Sequence, residues 1–167
     1  MLLIIISSAF LIADSSQSSC SHLEWTPLAS LAQKVTSASS QTQQIDALTA
    51  LGTYWDRVCK VDREQASSRV VRKLSHLLKI RPARPMLTSL LWDVGPNLKA
   101  AQSNIRLAIR DQSIVDLANC NRSVPFMPTN YHVTLDSLSC LDKKIRTGQE
   151  DPELCRVLRA VAPGERG

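Results

Sequence analysis

Aromatic residues are scarce in this chain: three Trp, two Tyr and two Phe among 167 residues. None interleaves with its densest run of cations, so it lacks the stacking platforms that single-stranded nucleic acid would need. Nucleic acid is therefore not expected as a partner. Catalytic signatures are missing too. There is no GxSxG, no HExxH, no phosphate loop and no calcium loop, and His22, His76 and His132 are scattered along the chain. Five cysteines are present, but none lies two or three residues from another. That excludes CxxC chemistry and closed zinc spacings, and the set Cys120, His132 and Cys140 matches no zinc pattern. No enzyme activity, metal or cofactor is expected.

No lysine or arginine precedes Lys34, so the α-amino group supplies the only positive charge before an apolar opening run. Leu2 to Ala13 is apolar almost throughout and is closed by Asp14. A membrane-spanning helix needs about twenty apolar residues, and this run is too short. It has the length and position of the hydrophobic region of a secretory leader, with the small residues Ala13, Ser15, Ser16 and Ser18 offering cleavage sites. The expectation is a signal peptide over residues 1–18 and a single α-helical domain over residues 19–167. The mature chain would then be secreted and extracellular, with no stable membrane insertion.

An oxidising compartment gives meaning to two further features. Asn121-Arg122-Ser123 fits the acceptor rule for an N-linked sugar, which makes Asn121 a candidate glycosylation site beside Cys120. The cysteines Cys59, Cys120, Cys140 and Cys155 become disulfide candidates. Cys140 and Cys155 sit almost symmetrically about Gly148, which would place them opposite each other in a helical hairpin. Cys20, Cys59 and Cys120 would gather at one end of an up-down bundle. There one pair could form; Cys59–Cys120 is the more natural choice, though spacing alone does not decide it.

The formal charge is +5, becoming +6 when Asp14 leaves with the leader. Between Asp56 and Arg84 nine cations face three carboxylates. Within that run Arg69, Arg72, Lys73 and Lys79 form a candidate basic surface for a receptor or a heparan-type polyanion, or simply a solvated helix face.

Apolar residues recur at helical spacing along the whole chain, and no convincing strand alternation is present. Leu28, Leu31, Ala32 and Val35 mark a first helix, with Thr26 as its cap and Pro27 at its first position. Ile45, Leu48, Leu51, Trp55, Val58 and Cys59 mark a second, from about Gln43 to Val61. Asp62 with Gln65 resembles a capping box opening a third, whose buried face carries Val70, Val71, Leu74, Leu77 and Leu78 and which "RPARP" would end. Leu87, Leu91, Val94, Leu98, Ala101, Ile105 and Ala108 alternate steps of four and three. That seam predicts one long helix, kinked at Gly95-Pro96, with two helices as the alternative. Two short helices close the chain, one capped by Thr134 and stopped at Gly148, the other capped by Asp151.

The fold class expected is all-α: a single up-down helical bundle of about four main helices with a short C-terminal helical hairpin. Its expected function is binding, as a cytokine-like or growth-factor-like extracellular ligand for a protein receptor. The alternatives are a helical carrier of a small lipophilic molecule, and an enzyme with an unrecognised site built on a free thiol and His132. Dibasic Arg72-Lys73 and Lys143-Lys144 would suit prohormone processing, but both lie within expected helices.

Overall fold

The computed structural model describes residues 20–120 and 130–148; side chains of 115–120 and 130–133 are outside that description. The described chain is predominantly helical and contains no strand. Its helices are α1 (Trp25–Ser37), α2 (Gln41–Arg57), α3 (Lys60–Glu64), α4 (Ser68–His76), α5 (Arg84–Trp92), α6 (Gln102–Cys120) and α7 (Asn130–Thr147). Three 3₁₀ stretches, Leu77–Lys79, Arg81–Ala83 and Pro96–Ala101, make the corners. No described helix is long and apolar enough to cross a membrane. The leader, Asn121, Cys155 and the helix expected from Asp151 lie outside the described residues.

One apolar cluster joins the elements. Leu28, Ala32 and Val35 of α1, Leu51 and Trp55 of α2, and Val71 and Leu74 of α4 are fully buried. Leu87 and Leu91 of α5, Ile105 of α6, and Leu138 and Leu141 of α7 complete it. Each set recurs at three- and four-residue steps, so a single stripe of each helix leaves water. The packing pairs α1 with α2 and α6 with α7, while α5 lies against α7, α4 and α2. Ile45, expected on the inner stripe of α2, is half exposed.

Several helix boundaries differ from the expectation, each for a physical reason. The first helix begins at Trp25, after the extended Glu24, so Thr26 and Pro27 sit inside its first turn. The third does not open at Asp62. A five-residue helix, α3, intervenes, and α4 is capped by Ser67, whose Oγ accepts from Val70 N. Thr134 lies inside α7 and is buried. Gly148 does end that helix, with φ of 68° and its N–H donating to Lys144 O at 2.9 Å.

The long kinked helix is two helices. Its seam is buried from Leu87 to Ala108 as expected, but α5 stops at Trp92 and a 3₁₀ stretch from Pro96 to Ala101 leads into α6. Contacts far away in sequence fix this break. Gly95 N donates to Glu64 O at 2.9 Å, and a Cβ on Gly95 would lie 2.7 Å from that same carbonyl. Arg63 Nη1 pairs with Asp93 Oδ2 at 2.6 Å, and Asn97 Nδ2 donates to Ala66 O at 3.0 Å. The corner thus wraps the end of α3, and Pro96 could not supply an N–H to a continuous helix in any case.

Candidate functional site

Arg69, Arg72, Lys73 and Lys79 lie along α4 and the 3₁₀ turn that follows it. Arg69 is drawn to α1, with its guanidinium 3.8 Å from the centre of the Trp25 ring. Arg72 is exposed and Lys73 half-buried on α4. Lys79 continues the same edge into the 3₁₀ turn, where its Nζ lies 2.9 Å from His76 Nε2. An ammonium only donates, so that ring nitrogen accepts. Lys79 also belongs to a second group of residues.

That group lines a groove of about 840 Å³ between the end of α4, the Arg81–Ala83 turn and α6. Asn104, which lines it, donates from Nδ2 to Ser75 Oγ at 2.9 Å and so joins α6 to α4. Leu107 and Ile114 of α6 line the groove and remain 62% and 60% exposed. On a helix with about 100° per residue they fall nearly opposite the buried Ile105, with Arg110 between them along the axis and about 40–60° to one side. Two large apolar side chains one heptad apart therefore face water beside Lys79 and Arg110.

Asp111 is the groove's one carboxylate among the described residues, and it is already engaged. Arg81 grips it with both Nε and Nη2 at 2.8 Å, and Arg84 Nη2 donates to it at 2.6 Å. Hydrogen bonds from Arg81 and then Arg84 hold its carboxyl well below the usual carboxylate range. Arg84 itself is only 2% exposed. Its remaining donors reach Leu78 O at 2.9 Å and Gln112 Oε1 at 2.8 Å, so the buried guanidinium is satisfied on three sides. The outer cations Lys79 and Arg110 keep their charge facing solvent.

A second cluster lies at the N-terminal corner and has a different character. Cys20 is bonded to Cys59, which corrects the Cys59–Cys120 pairing; the two Cα atoms are 4.9 Å apart. Cys140 is disulfide-bonded as well. The side chains of Cys120 and Cys155, and with them the expected Cys140–Cys155 bridge, lie outside the described residues. Ser21 exchanges backbone hydrogen bonds with the α2–α3 junction, through Arg57 O at 2.8 Å and Cys59 N at 2.9 Å. Asp62 accepts from Leu23 N at 2.9 Å and meets His22 Nδ1 at 3.0 Å. These contacts, the backbone one first, lower its pKa. The carboxylate read as a helix cap is a tether for the chain before α1. Tyr54 OH closes the corner, accepting from Glu24 N at 2.9 Å and donating to Glu24 O at 3.0 Å.

Sequence reasoning found Lys79 but missed Arg81, Leu107, Arg110 and Ile114. The signal for Leu107 and Ile114 was present: both stand off the heptad seam, on the face where a surface helix should be polar. Among the described residues, no three His, Cys, Asp or Glu side chains gather as a metal site. No protein-family model matches the chain, and no curated protein or solved structure is significantly similar to it.

Proposed function

We propose that this is a secreted helical protein that acts by binding a protein receptor or another extracellular protein, in the manner of a growth-factor-like ligand. One observation carries the reading: Leu107 and Ile114, both more than half exposed, stand in a groove edged by the exposed cations Lys79 and Arg110. Apolar side chains held in water on a rigid helix beside charge are what an interface core and its rim require. The Cys20–Cys59 bond and the bonded Cys140 fit an oxidising compartment. The up-down bundle, the leader over residues 1–18 and sugar attachment at Asn121 belong to the same proposal. Arg69, Arg72, Lys73 and Lys79 are the basic edge proposed to meet a heparan-type polyanion.

The test has two parts. Protein made in cultured eukaryotic cells should appear in the medium, shortened by the leader and losing mass on sugar removal. Labelled, it should bind intact cells saturably, and prior protease treatment of those cells should abolish binding. Full-length protein confined to the lysate, or non-saturable adsorption, would contradict the reading.

A further inference from the structure

We infer that the α6 groove receives an acidic amphipathic helix of a protein partner. This rests on the proposed binding function and names the chemistry recognised. Leu107 and Ile114 are seven residues apart, about 10.5 Å along the α6 axis. A helix laid along the groove brings apolar residues to the same interval at positions i and i+7, with i+3 or i+4 between them. Arg110 lies between the two anchors, and Lys79, flanked by His76, lies on the opposite wall. Carboxylates on the margins of the incoming apolar stripe would meet both cations. Asp111 offers them little opposition, because Arg81 and Arg84 already claim its two oxygens.

Charge and apolarity together select this occupant. A sulfated polysaccharide would satisfy Lys79 and Arg110 but brings no apolar surface to cover Leu107 and Ile114. A second copy meeting the same face would bring the same excess of positive charge to both sides, with Asp111 already engaged by Arg81 and Arg84. A bilayer is flat, whereas the anchors and cations edge a recess of about 840 Å³. An acidic helix covers the apolar pair, neutralises the cations and fills the recess.

The experiment is an unbiased selection of twenty-residue peptides displayed on phage, against the full chain with its disulfides intact. Affinities of the enriched peptides are then measured by fluorescence polarisation on wild type, on Leu107→Ser/Ile114→Ser and on Lys79→Glu/Arg110→Glu. All four positions are exposed, and thermal melts confirm that each variant is folded. The expected result is enrichment of peptides with apolar residues at helical spacing flanked by Asp and Glu, weakened at least tenfold by either double variant. Peptides without acidic bias, peptides indifferent to both variants, or no enrichment would overturn the inference. So would binding of heparin fragments or phosphatidylserine vesicles that displaces the peptides and ignores the serine variant. Saturable, protease-sensitive cell binding by wild type separates the two levels. If it persists while the peptides fail, the groove is wrong and the binding function stands; if it too is absent, the function itself is wrong.

Discussion

The N-terminal corner and the α6 groove use similar residue types in opposite ways. At the corner, charge and hydrogen-bonding capacity point inward to the chain itself. Asp62, Tyr54 and the Cys20–Cys59 bond all fasten residues 20–24 to the α2–α3 junction. In the groove only the inner half is treated so: Arg81 and Arg84 close on Asp111, while Lys79, Arg110, Leu107 and Ile114 face water. The comparison separates a part of the molecule that holds its own chain together from a part whose apolar and cationic side chains face water.

The largest expected effect comes from cutting the corner. Cys20→Ser with Cys59→Ser releases a loop with a sequence separation of 39, which should cost about 3–4 kcal/mol in urea unfolding. Groove ligands should bind the folded fraction unchanged. A loss of binding in parallel would show that the two regions are not independent. Gly95→Ala is expected to be next, at about 1–3 kcal/mol, because the new methyl meets the rigid Glu64 carbonyl at 2.7 Å.

Asp111→Asn probes the inner half of the groove. It leaves the buried Arg84 short of its charged partner and should cost about 2 kcal/mol, less than a fully buried pair because Asp111 is 38% exposed. Its pH dependence has a defined sign. The folded-state pKa is depressed, so the carboxylate contributes stability above its unfolded value near 4 and loses it as pH falls further. The stability gap between wild type and Asp111→Asn should therefore be full at pH 7 and shrink below about pH 4, as urea titrations at pH 7 and pH 3 would show. Leu107→Ser with Ile114→Ser should have the smallest effect on stability, within about 0.5 kcal/mol per site, since both side chains already face water.

Helix faces were legible in the sequence because burial follows the 3.6-residue period: Leu28, Leu51, Leu74, Leu91 and Ile105 are all fully buried. Boundaries fixed by distant contacts were not. The seam from Leu87 to Ala108 reads as one helix, and only the approach of Gly95 to Glu64 reveals the break. Asp62 followed by Gln65 has a local capping pattern, yet its carboxylate serves Leu23 N, 39 positions earlier. Arg84 counted as one more cation of a surface run, although it is buried and turned toward Leu78 O and Gln112. Composition reports charge but not the side on which a charge lies. The groove was partly legible, because Leu107 and Ile114 break the polar outer face of α6, but their closeness to Lys79 required the fold.

The central claim is that the exposed pair on α6 makes the protein a binder. Its most direct test is a saturation titration of labelled wild type and of Leu107→Ser/Ile114→Ser on intact cultured cells, with both proteins matched for thermal stability. The account predicts saturable wild-type binding that weakens at least tenfold in the variant. Equal binding by the two proteins would contradict it.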